Sequence, residues 1–314
     1  MVNRRHIRVK VMQSIYAMHQ NGSDNLEKEE KFLYYSIDAI QDLYLIMLSS
    51  LIEICKKETV FLHLSSQKHL ATPQERKPNE KFIKNAIFQI LAENNSLSIA
   101  LENRKIDNWT LNDDYILLLL NDIKQSKLYQ NYMGNSVNTF QEDKDFIVDL
   151  FMEVIVPNEK LYEYLEDNKL TWIDDIPVVN TEIIKQLKAI KNVEEGGFRV
   201  PKLFKDNEDK DFVRDLFRKT VLNEKELAKE YDDKTPNWDS DRIAEIDTII
   251  LKMAICEFLK FPSIPVKVTL NEYLELAKEY STPKSSIFIN GILDNLVKEL
   301  QTDNRIQKVG RGLM

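Results

Sequence analysis

Residues 265–294 read PVKVTLNEYLELAKEYSTPKSSIFINGILD, and this stretch decides the fold class. Thr269-Leu270-Asn271-Glu272 has the form of a capping box, in which the Thr hydroxyl and the Glu carboxylate each satisfy an orphan backbone N–H. Behind it, Leu270, Tyr273, Leu274 and Ala277 recur at i, i+3, i+4 and i+7, the spacing of one buried helical face. Thr282-Pro283 is a second helix start, because Pro at the first helical position loses no hydrogen bond. The face after it is Ile289, Ile292, Leu293, Leu296 and Leu300. Lys284, Ser285 and Ser286 fall at this second N-terminus, where N–H groups and the helix dipole favour an anion such as phosphate. Gly291 lies inside the second helix, and close helix–helix approach is the expected reason.

Outward from this stretch the helical reading holds. Leu, Ile, Lys, Glu, Asp and Asn dominate the 314 residues, and few stretches alternate at period two, so the chain reads as all-α. Seven Gly form neither G-x-G-x-x-G nor G-x-x-x-x-G-K, which excludes a dinucleotide fold or a nucleotide phosphate loop. Met1-Val2-Asn3-Arg4-Arg5-His6 lacks the apolar core of a signal peptide. The longest aliphatic run, Ile116–Leu120, is too short to span a bilayer. A cytoplasmic protein with no membrane role is expected, with Cys55 and Cys256 as buried free thiols.

Net charge is −8, unevenly spread. Residues 1–20 hold Arg4, Arg5, Arg8 and Lys10 and no acid, a local +4 on a remainder of −12. Arg4, Arg5 and Arg8 share an arc of about 100° on a helix over residues 3–20, and Lys10 points elsewhere. A small basic site on an acidic body suits a local RNA contact while the remaining surface repels nucleic acid.

Three segments together resemble the NusB family of bacterial transcription antitermination factors. They are Pro265-Val266-Lys267-Val268 through Phe288-Ile289-Asn290-Gly291-Ile292-Leu293-Asp294, the run Ile246-Asp247 to Glu257-Phe258, and Arg4-Arg5-His6-Ile7-Arg8 with Gln13-Ser14-Ile15-Tyr16. The resemblance covers roughly residues 1–20 and 208–300. It implies a NusB-like helical bundle with additional inserted helices. The expected organisation is an arginine-rich first helix over 1–20, an inserted helical region over 21–207, and a C-terminal module over 208–314. It further implies a non-enzymatic factor that binds single-stranded, boxA-like leader RNA of ribosomal RNA transcripts. Its partners would be NusE, a small-subunit ribosomal protein, and the transcription elongation complex. By resemblance, Arg4, Arg5, Arg8 and Lys10 form one RNA contact, and Lys284, Ser285 and Phe288 a second. Lys284 departs from the acidic residue common in the family. Tyr16 and Asp247 correspond to positions facing NusE, and Asp247 interrupts the apolar pattern of Ile243, Ile246, Ile250 and Met253. Two other readings stand beside this one: a non-catalytic protein-interaction scaffold, and a NusB-like accessory domain of rRNA modification.

Within the inserted region, 25–64 reads as one long helix or two, Ser65–Asn79 as a polar linker, and Glu194–Pro201 as a loop. Glu142-Asp143-Lys144-Asp145-Phe146 recurs as Glu208-Asp209-Lys210-Asp211-Phe212. Asn158-Glu159-Lys160 recurs as Asn223-Glu224-Lys225, and Trp172 as Trp238. A weaker copy starts at Lys81-Phe82 and includes Trp109. Such spacing predicts packed copies of one helical unit, degenerate near 142–207. No metal or cofactor site is read: His6, His19, His63 and His69 lack ligand spacing, and Ser281-Thr282-Pro283-Lys284 has no S-D-N or K-T-G beside it.

Overall fold

The structure, a computed structural model, describes residues 1–191, 198–232 and 244–313. Among these, the regular elements are helices. The chain opens with α1 (Arg4–Gln20) and α2 (Leu26–Ser66). Short helices follow: α3 (Pro73–Arg76), α4 (Ala86–Ala92), α5 (Asn95–Arg104), α6 (Asn108–Leu111), α7 (Asp113–Gln125) and α8 (Lys127–Gly134). Then come α9 (Phe140–Leu150), α10 (Glu159–Asn168), α11 (Ile176–Ala189), α12 (Asn207–Leu222) and α13 (Glu224–Asp232). The last three are α14 (Glu245–Lys260), α15 (Val266–Tyr280) and α16 (Pro283–Thr302).

Two units form. Val2–Ile37 groups with Phe204–Met314, and Asp38–Leu203 forms the other unit with Met1. The first unit is therefore discontinuous: its N-terminal part reaches Ile37, beyond the expected 1–20, and the insertion begins inside α2. The region 25–64 is one helix. The linker Ser65–Asn79 contains α3, closed by a capping box between Thr72 and Glu75. Residues 194–197 of the expected loop lie outside the described residues.

In the discontinuous unit, α1 packs on α12 and α14, while α14, α15 and α16 pack on one another. The α16 face is as read: Ile289, Ile292, Leu293, Leu296 and Leu300 are buried, with Thr282 accepting from the Ser285 N–H as N-cap. The first start differs. Helix α15 begins at Val266, so Thr269 sits within it and is fully buried, its hydroxyl donating to Glu257 Oε1 at 2.7 Å. Glu272 instead takes Arg5. The box letters are present, but both side chains serve distant partners. Gly291 faces open space and no close helix packs on it, which corrects that expectation.

The centre of the unit is a buried ion pair. The Arg8 fork donates to Glu257 at 2.9 and 2.7 Å, and both side chains are at most 2% exposed. Thr269 and Tyr273 donate to the same carboxylate, at 2.7 and 3.2 Å. Burial beside Glu257 pushes the Tyr273 phenol well above its usual range, which keeps it a donor.

The inserted unit hangs its tryptophans on α2. The Trp109 indole donates to the Ile46 carbonyl at 3.0 Å and Trp172 to that of Ala39 at 2.9 Å. These acceptors are two helical turns apart. The segments read as repeated copies each hold a longer helical stretch followed by a shorter helix. Helix α9, extended by a π-helical turn over Phe151–Ile155, precedes the 10-residue α10, as the 16-residue α12 precedes the 9-residue α13. Phe146 and Phe212 are both buried, Phe146 stacked on Tyr132 and Phe212 edge-on to Phe261. Trp238 lies outside the described residues.

The far end of α1 is fastened by His19, whose Nε2 and Nδ1 lie 3.0 Å from Glu224 and Glu245. The hydrogen bond to Glu224 raises the His19 pKa above 6.5, and the same contact with Lys252 lowers Glu224 to about 2. The raised His19 stabilises fully below pH 6.5 and fades as pH rises through its folded value. The lowered Glu224 stabilises above pH 4.5 and is lost as pH falls toward 2. His19→Gln should therefore destabilise between those two values, by no more than the roughly 0–1 kcal/mol of a partly exposed ion pair, and progressively less at alkaline pH, measured by denaturant melts across pH. Arg8→Ala leaves Glu257 buried and unpaired, and should destabilise the discontinuous unit by about 3–5 kcal/mol in the same melts.

Candidate nucleic-acid interface

Asn3 accepts from the His6 N–H at 2.9 Å and so starts α1, which sets the arginines in order. Arg4 bonds Asp209 at 2.9 Å and Glu208 at 3.4 Å, and its guanidinium lies over the Phe212 ring. Arg5 makes a two-pronged pair with Glu272 at 2.8 and 2.9 Å and is 49% exposed. Arg8 and Lys10 are interior: each is at most 2% exposed. Arg8 turns into the core and Lys10, off the arginine arc, is interior as well, so two of the four basic residues present no charge to solvent.

Arg4, Arg5 and Arg8 line a groove of about 590 Å³ with Pro265, Val268, Glu272 and Arg311. No side chain caps α15, whose first turn contributes Val268, so its early N–H groups are left to solvent or a ligand. Arg311 was not singled out in the sequence. It is 68% exposed and donates to Glu208 at 2.9 Å. The readable signal was the basic spacing Arg305, Lys308, Arg311, with Gly310 and Gly312 beside the last.

The second expected cluster lies at the start of α16 and is not among the residues lining that groove. Lys284 is exposed, and Ser285 and Phe288 are half-buried. The Ser285 N–H donates to Thr282 Oγ1 at 3.1 Å, so Thr282 is the cap and Ser285 supplies the N–H that is capped. Ile287 beside them is 75% exposed. Tyr16 is 40% exposed on α1. Asp247 is not a surface carboxylate: it is 3% exposed and accepts a short hydrogen bond from the Ser281 hydroxyl, at the C-terminal end of α15. It breaks the apolar pattern because it ties α14 to α15.

Among the described residues no group of His, Cys, Asp and Glu could hold a metal, and no helix is long and apolar enough to cross a membrane. Burial pushes both thiols, Cys55 and Cys256, up to about 11, far from a reactive thiolate.

The chain is 42% identical over 116 residues to the transcription antitermination protein NusB of Salinibacter ruber, across 37% of this chain and 72% of that protein. The chain belongs to the NusB family. The NusB family model matches residues 182–298. The NusB of Chloroherpeton thalassium is 38% identical over 105 residues, 33% of this chain and 50% of its own length. That of Clostridium kluyveri is 42% identical over 102 residues, 32% and 63%. No solved structure matches the chain. The NusB match begins in α11 and ends in α16, so α1 and the tail after α16 lie outside it. The structure joins both to the matched helices through Arg8, Arg305 and Lys308.

Burial of Asp247 makes charge reversal a folding change. Asp247→Lys should lower stability by about 3 kcal/mol, since it buries an unpaired cation and frees Ser281. Thermal melting checks this, with Asp247→Asn expected to cost less.

Proposed function

We propose that this protein is an RNA-binding transcription antitermination factor that holds boxA-like leader RNA in the arginine groove. NusE completes the complex on the elongating polymerase, in the cytoplasm. The observation that carries the reading is the groove itself: exposed guanidinium groups on the module that shares the family's signature. Arg5 is paired with Glu272 at the surface, and an exposed ion pair contributes only about 0–1 kcal/mol. A phosphate, which suits the guanidinium fork, displaces such a carboxylate at small cost. Arg4 and Arg5 are thus the phosphate contacts on α1, and Arg8 holds the helix that carries them. Lys284, Ser285 and Phe288 form a second contact, where the α16 N-terminus takes phosphate and the half-buried Phe288 ring stacks a base. Tyr16 belongs to the face for NusE. No catalytic step and no cofactor enter this role.

The test is a titration of labelled boxA-like RNA with and without NusE across a salt series. Wild type should bind, and more tightly with NusE. The double variant Arg4→Ala, Arg5→Ala should flatten the log–log salt slope by about 1.4, two single-strand phosphate contacts. An affinity and slope equal to wild type would overturn the reading.

A further inference from the structure

Beyond α16 the chain does not trail away. Arg305 grips Glu230 with both prongs, at 2.8 and 2.7 Å. Lys308 Nζ donates to the carbonyls of Glu257 and Phe261 at 3.2 and 2.9 Å, which caps the C-terminal end of α14. Val309 N–H donates to the Pro262 carbonyl at 3.0 Å. Gly310 turns the backbone at φ +54°, and Gly312 is buried so closely that an added Cβ would stand 2.0 Å from the Pro262 oxygen. Four successive attachments fix one residue between the two glycines, and that residue is Arg311.

We infer that this tail is a working wall of the RNA groove and that Arg311 is a phosphate-binding residue of it. The inference rests on the RNA-binding reading above. Arg311 lines the same groove as Arg4 and Arg5. Its Nη2 shares the Glu208 Oε2 atom with Arg4, so two guanidinium groups draw on one carboxylate oxygen. That pair is exposed on both sides, at 68% and 63%, and is therefore open to exchange for a phosphate oxygen. Guanidinium groups delivered from α1 and from the tail suit a ligand with phosphates in series, which a single-stranded nucleic acid backbone supplies. The NusB family model matches only as far as residue 298, before this wall begins.

Fluorescein-labelled single-stranded boxA-like RNA is titrated into the full chain across salt. Arg311→Ala should weaken binding about fivefold and flatten the salt slope by about 0.7, while Arg311→Lys retains most of the slope. Gly312→Ala changes no charge but forces the tail off Pro262, and should weaken binding to a similar extent. Melting curves show whether the module stays folded in each variant. If Arg311→Ala and Gly312→Ala bind as wild type does while Arg5→Ala loses affinity, the tail is only a structural strap and the inference falls. If the wild-type chain does not bind this RNA, or Arg5→Ala is equally silent, the RNA reading itself fails and takes the inference with it.

Discussion

Arg8 and Glu257 form a charge pair without access to water, and the position of the first helix depends on it. Removing two such ions from water costs several kcal/mol each. Their attraction and the bonds from Thr269 and Tyr273 offset that cost only when all partners are in place. The requirement is geometric, so it fixes one register of α1 against α14 and α15. Arg4 stands one turn before Arg8 on the same face, and both guanidinium groups lie 5.2 Å from the Phe212 ring centre. A buried residue thereby fixes where the more exposed arginines point.

The same pair is closed across a whole folded unit inserted in the middle of the module's sequence. Loop-closure cost rises by only about 0.6 kcal/mol for each doubling of loop length. An insertion with its own core adds little to the cost of bringing α1 back to α14. The inserted unit has such a core, with Trp109 and Trp172 bonded to α2 and both Phe82 and Tyr132 in ring contact with Phe146.

Local chemistry was legible in the sequence, and distant pairing was not. Thr282-Pro283 and the α16 face were read correctly because an N-cap and a 3.6-residue period need only neighbours. The all-helical class followed from the same periodicity. Which arginine of Arg4, Arg5 and Arg8 turns inward depends on a carboxylate 249 positions away, and nothing in their own spacing encodes that. Thr269 and Glu272 carried the letters of a cap, yet Glu257 and Arg5 claim them. Asp247 looked like a surface carboxylate because its acceptor role depends on Ser281, at the end of another helix. Arg311 went unread because the bends that place it depend on how closely Gly312 approaches Pro262.

The split of the NusB-like unit also sets an order of events during synthesis. A ribosome adds roughly 5–20 residues per second, so the 249 positions from Arg8 to Glu257 take on the order of 12–50 seconds. For that interval α1 exists without the carboxylate that neutralises its inner arginine. Most of the residues made meanwhile, Asp38–Leu203, are those of the inserted unit, which is complete before α14 emerges. The first helix is therefore the earliest part of its unit to be made and among the last to be buried. In that window the four cations of its acid-free sequence stand without the carboxylates that the folded unit supplies.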